Sequence, residues 1–97
     1  ITSEKSIIAQ VIISLIMTIF GFVMQISATE WMFQFFAIGL VLVAESLNTA
    51  IEKMADFIHP EYHKKIGLIK DISAGAAFFA AIFAVIIGLI IYIPKFI

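Results

Sequence analysis

Residues 37–65 read AIGLVLVAESLNTAIEKMADFIHPEYHKK, and the fold turns on how this stretch is read. It opens as an apolar run and then admits Glu45, Asn48, Glu52 and Asp56 with no glycine or proline between them. At about 100° per residue, positions i, i+3, i+7 and i+11 fall within roughly 80° of one another on a helix. Three carboxylates and an amide therefore share one face of a helix that is otherwise suited to lipid. An ionised side chain at mid-bilayer costs about 3 kcal/mol or more, so such a stripe is a functional-site hypothesis by default. His59-Pro60 ends the helix, because the residue before a proline is pushed out of the α region.

Working outward, the rest of the chain has the same character. It is 63% hydrophobic and 13% charged, with mean hydropathy +1.14, against about 45–50% apolar and about 25% charged in ordinary soluble domains. The expected fold is all-α, a single membrane domain over residues 1–97 with three spans at about 7–26, 31–58 and 66–93. The second span carries an extension beyond the bilayer. Each segment reaches the ~20 residues needed to cross the hydrocarbon core, and Pro94 is expected to stop the third. Ninety-seven residues leave no room for a second domain. No small-residue cleavage pattern follows the first span, so a signal peptide is a poor reading of it.

Gln10, Ser14 and Thr18, at four-residue spacing, make a thin polar seam suited to packing against another helix. Ser73 to Ala77 and Ala80-Ala81 are small residues that let backbones approach closely around the start of the third span. Three spans bury little against one another, so homo-oligomerisation is expected.

Lys5, Lys53, Lys64, Lys65 and Lys70 fall on one side of these spans, and Lys95 alone on the other. The positive-inside rule then puts the N-terminus and the 53–70 region in the cytoplasm. The Ser27–Glu30 turn and the C-terminus face outward, with Trp31 and Tyr92 as interfacial aromatics there. Glu45 lies near the cytoplasmic boundary, on the side of any ATP.

On that side the sequence collects Glu4, Glu45, Asn48, Glu52, Asp56, Glu61, His63, Lys64, Lys65, Lys70 and Asp71. Oxygen ligands suit magnesium, which is held by one or two carboxylates plus substrate phosphates. Phosphoryl transfer needs positioning, charge neutralisation, a lysine on the phosphates and a base for the hydroxyl. Glu45, the deepest carboxylate, is the candidate base. Glu52, about 10 Å further along by helical rise, is better placed for the metal.

Each residue also has a plainer reading. Asp56 and Glu61 fit solvated residues at a helix end, Lys70 a snorkelling anchor, His63 an ordinary loop residue, and Glu45 a structural buried acid. A non-enzymatic membrane protein, such as a proton or ion pathway or an assembly subunit, is the alternative of a different class. Against it, residues 31–44 offer only Gln34 to continue a polar path toward the outer face. The chain lacks cysteine and arginine, a GxxxxGK[ST] loop, and the HRD and DFG signatures of protein kinases. Nucleic-acid binding has no basic patch to rest on.

The string Glu45-Ser-Leu-Asn48-Thr49-Ala50-Ile51-Glu52, followed by Asp56, Glu61-Tyr62-His63 and Lys70-Asp71, resembles the prokaryotic diacylglycerol kinase family. These are small three-span membrane kinases that include the undecaprenol kinases. The resemblance runs from about residue 4 to the end. It implies a homotrimer in the bacterial inner membrane, with shared sites on the cytoplasmic face where MgATP phosphorylates a lipid alcohol. Carried over, Glu45 is the general base, Asn48 holds the reacting groups, and Glu52 with Glu4 coordinates the metal. Lys70 contacts the ATP phosphates, with Glu4, Glu52, Asp56, Glu61, His63 and Asp71 around the nucleotide. The chain departs from the family in starting after its amphipathic surface helix. It also carries Gln10 where members often have Glu or His. The C-terminal IGLIIYIPKF leans toward the undecaprenol branch, while the motif itself serves either substrate, diacylglycerol or undecaprenol.

Overall fold

The computed structural model describes residues 3–59, 61 and 63–97, with Ser3 and Glu4 described by backbone alone. Three helices follow one another: α1 (Ser3–Val23), α2 (Ala28–Ile58) and α3 (Lys64–Phe96). All three are long and apolar enough to cross a membrane. The bundle measures 50 × 19 × 18 Å, longer than the ~30 Å hydrocarbon core.

The ends of the helices differ from the sequence expectation for identifiable reasons. α1 stops at Val23 rather than running to 26, because Gln25 takes a left-handed conformation at φ 53. The Gln25 N–H then donates to the Phe22 carbonyl (3.2 Å) and the Ile26 N–H to the Gly21 carbonyl (3.2 Å). That is a Schellman cap with glutamine where glycine is usual. α2 starts at Ala28, three residues early, because Ser27-x-x-Glu30 forms a capping box. The Glu30 N–H donates to Ser27 Oγ (3.2 Å), and the Ser27 N–H donates to Glu30 Oε1 (2.9 Å). α3 gains Lys64 and Lys65 because His63 caps it, its Nδ1 accepting from the Lys65 N–H (3.1 Å).

The expectation that Pro94 stops α3 is corrected, since the helix runs on to Phe96. A proline this close to a C-terminus forfeits one backbone bond without breaking a long helix behind it. His59 does end α2, leaving the helical region at φ −145 and ψ 84.

α2 and α3 form an antiparallel hairpin held in register by four polar cross-links. From the Met24–Ser27 turn toward the 59–63 loop these are Glu30 with Lys95, Gln34 with Tyr92, Asn48 with Ser73, and Asp56 with Lys70. Between the second and third, small side chains close the seam: Ala37 and Val41 of α2 and Ala77 and Ala80 of α3 are buried. The small-residue reading of α3 holds there, with Ser73 buried at its edge.

α1 joins this hairpin chiefly at the turn end. Gly21 is buried against α2 so closely that a Cβ there would meet Trp31 Cη2 at 2.8 Å and Gln34 Nε2 at 3.1 Å. Gln34, 4% exposed, donates from Nε2 to the Met17 carbonyl (2.9 Å) and accepts from the Tyr92 hydroxyl at Oε1. One amide thus fastens all three helices. Around it Ile26, Ile91 and Tyr92 form a buried cluster backed by Met17, Phe20, Met24, Trp31 and Ile87. Tyr92, expected near the outer boundary, turns inward to the bundle, its ring buried against Phe20 at 5.0 Å between centroids.

Elsewhere α1 and α3 diverge, and among the described residues no Cα of α1 comes within 8 Å of α3. A cavity of about 480 Å³ opens between the helices, with Gln10, Ser14 and Gln34 among its few polar walls. Gln10 and Ser14 of the α1 seam face it, but the seam's hydroxyls bond to their own helix. Ser14 Oγ donates to the Gln10 carbonyl (2.6 Å) and Thr18 Oγ1 to the Ser14 carbonyl (2.8 Å).

Candidate functional site

The stripe lies on the half of α2 nearer the 59–63 loop. Alanine, leucine and isoleucine between the polar positions keep the helix regular, so the side chains stack along it at roughly 1.5 Å rise per residue. Glu45 and Glu52 are half-buried, Asn48 is buried and Asp56 is exposed. The stripe therefore grades from enclosed to open toward the loop.

α3 supplies the opposite wall. Ser73 Oγ donates to Asn48 Oδ1 at 2.7 Å, in a bond buried on both sides. With the Asn48 carbonyl engaged, its amide N–H groups are what the side chain can offer a ligand. One turn earlier on α3, Lys70 Nζ forms an ion pair with Asp56 Oδ1. Asp71, next to Lys70 in sequence, is exposed and about 100° further round the helix.

Two residues in this region carried no sequence signal of their own. Ser73 read only as a small packing residue, yet it orients Asn48. Thr49 is 8% exposed and its hydroxyl is buried with no hydrogen-bond partner among the described residues. On α2 it stands four residues after Glu45 and three before Glu52, so it adjoins both carboxylates. Unlike Ser14 and Thr18, it does not bond back to its own helix.

The remaining expected residues fall into place less tightly. Glu61 is exposed in the loop, where its carbonyl accepts from His59 Nδ1 (2.7 Å). His63 is exposed and occupied in capping α3, with its ring 5.3 Å from that of His59. Glu4 lies in the first turn of α1, and its side chain falls outside the described residues. Among the described residues, no three Asp, Glu, His or Cys side chains converge as a metal cage. Glu52 nevertheless offers the hard oxygen donor that a magnesium ion takes when most of its shell is water and phosphate.

A bundle of three apolar helices with an acid-, amide- and lysine-bearing cluster toward one end is a multi-pass membrane protein. The family model for prokaryotic diacylglycerol kinase matches residues 1–92. The chain is 43% identical over 75 residues to an undecaprenol kinase of Bacillus subtilis, covering 77% of this chain and 61% of that protein. It is 43% identical over 56 residues to a diacylglycerol kinase of Synechocystis, covering 57% and 32%. To a diacylglycerol kinase of Escherichia coli K12 it is 44% identical over 50 residues, covering 52% and 41%. The chain belongs to the prokaryotic diacylglycerol kinase family. It spans less than two thirds of the length of these curated relatives. No solved structure matches it.

Proposed function

We propose that this protein transfers the γ-phosphate of ATP to the primary hydroxyl of a membrane lipid, at the cytoplasmic face of a bacterial inner membrane. The observation that carries this reading is that α3 brings Lys70 against the α2 face that bears Glu45, Asn48, Glu52 and Asp56. Membership in the family and the lysine asymmetry of the sequence support it. The working unit in this reading is a homotrimer with sites shared between subunits.

Glu45 accepts the proton of the lipid hydroxyl as its oxygen attacks the γ-phosphorus. The bond from that phosphorus to the β,γ-bridging oxygen breaks, ADP leaves, and Glu45 returns the proton to water. Half-burial shields its carboxylate, and the lipid hydroxyl arrives from the same apolar side. Asn48, with its carbonyl held by Ser73, directs N–H donors toward the reacting oxygens. Lys70 draws the phosphates onto the stripe. Glu52, with Glu4, would hold Mg²⁺, which when bound neutralises charge on the phosphates. Asp56, Glu61, His63 and Asp71 surround the nucleotide.

The acceptor is a lipid alcohol, either diacylglycerol or undecaprenol. Undecaprenol is the first to test, because the relative with the longest of the matches reported above carries that name. The test is transfer of radiolabelled γ-phosphate from ATP to each lipid by the purified protein in lipid–detergent micelles. Labelled lipid phosphate in one arm identifies the acceptor. No label in either lipid from an intact oligomer overturns the proposal.

A further inference from the structure

The ion pair between Lys70 and Asp56 bears on how the nucleotide is admitted. Asp56 lies two residues before the end of α2, and Lys70 in the second turn of α3. Their side chains keep 34% (Lys70) and 59% (Asp56) of their exposure. We infer that Asp56 is a competing counter-ion in nucleotide binding: it occupies the ammonium of Lys70, and incoming phosphates displace it. This deepens the assignment of Lys70 to the ATP phosphates above and rests on it.

Three physical points carry the inference. A lysine ammonium is a strongly hydrated point charge on a flexible four-carbon stem, so without a partner it samples a wide volume. Pairing with Asp56 occupies that charge, so incoming phosphates compete with the carboxylate for it. Next, a partly exposed ion pair is weak, since water screens it and holding two side chains costs entropy. A buried pair would resist exchange, whereas this one can be traded for another anion. Finally, the exchange selects for charge. A single carboxylate competes evenly with a monoanion, whereas a polyphosphate brings several negative oxygens to the same ammonium and wins. Asp56 thus sets a threshold that favours a nucleotide polyphosphate over small cellular anions.

The sign of the effect separates this role from direct ligation. A residue that touches the nucleotide or its metal weakens binding when removed, and a displaced counter-ion strengthens it. The experiment is equilibrium binding of magnesium with a non-hydrolysable ATP analogue to the full chain in detergent. The variants are Asp56→Asn, Asp56→Glu, Lys70→Met and the Asp56→Asn/Lys70→Met pair. Asp56→Asn is expected to tighten binding about two- to five-fold, the range that release of one partly exposed ion pair allows. Asp56→Glu keeps the wild-type value, and Asp56→Asn changes nothing once Lys70 is Met. Asp56→Ser replaces Asp56→Asn should the latter not fold. Weaker binding in Asp56→Asn overturns the inference, as does an equal tightening in the Lys70→Met background, which would be a through-space charge effect. If Lys70→Met alone leaves binding unchanged, the assignment of Lys70 itself fails, and the inference with it.

Discussion

At the turn end of the bundle, Gln34 binds a carbonyl of α1 and a hydroxyl of α3, and aromatic rings fill the space around it. At the loop end, Asn48 makes the corresponding cross-link to Ser73, but its neighbours are Glu45, Thr49 and Glu52. Both amides are buried on the same helix face and join the same hairpin. The first has both ends of its side chain engaged within the fold. The second has its carbonyl engaged by Ser73, and among the described residues the Thr49 hydroxyl beside it has no partner. At the turn end polar groups are consumed in fixing helices; at the loop end the proposed function needs them for a ligand.

Four substitutions break or sharpen that contrast. The largest effect is expected from Glu45→Gln, which removes the proposed base while keeping its shape. Turnover should fall about 10²–10⁴-fold with the oligomer intact by size-exclusion chromatography, and near-normal turnover would remove Glu45 from the chemistry. Gly21→Val should act in the opposite way. The added carbons run into Trp31 and Gln34, and overpacking of this kind costs about 1–3 kcal/mol. Unfolding by SDS in mixed micelles should show that loss, while activity per folded molecule stays within two-fold of wild type, roughly the limit for a site remote from the chemistry. Ser73→Ala tests whether a cross-link at the loop end serves function more than stability. Interhelical hydrogen bonds in membranes average about 0.6 kcal/mol, so stability should barely move, whereas loss of Asn48 orientation should lower kcat about ten-fold. A stability loss without a kinetic one would make Asn48–Ser73 equivalent to Gln34–Tyr92. The smallest effect is a gain. Gln25→Gly relieves the left-handed residue at φ 53 and should stabilise the protein by about 0.5 kcal/mol in the same SDS titration.

Much of this was legible in the sequence, for reasons that differ by residue. The three helices follow from apolar length, and the stripe on α2 follows from helical periodicity, so neither depends on tertiary contacts. The Ser27-x-x-Glu30 cap was also legible as a motif, although the expected start at 31 passed over it. Gln34 and Ser73 could not be read in the same way. A lone glutamine in an apolar run has no pattern, and its role exists only because Met17 and Tyr92 arrive from other helices. The burial of Tyr92 was hidden for the same reason, since it depends on Phe20 arriving from the first helix. Lys70 was expected with the α2 stripe and pairs with Asp56 of it, while Asp71, exposed and further round α3, and the capping His63 show that adjacency in sequence does not fix direction.

The arrangement of Gln34 has a consequence for how the protein is made. α1 is synthesised first, yet the partners that fasten it are Trp31 and Gln34 on the next helix and Tyr92 near the end of the third. Once α2 has emerged, Gln34 can already hold the Met17 carbonyl and Trp31 can cover Gly21, so α1 and α2 can pair before α3 is complete. Tyr92 and Phe96 arrive last and add ring contacts to Phe20, so a truncation that removes the last turns of α3 should loosen the turn end while leaving the α1–α2 pairing in place.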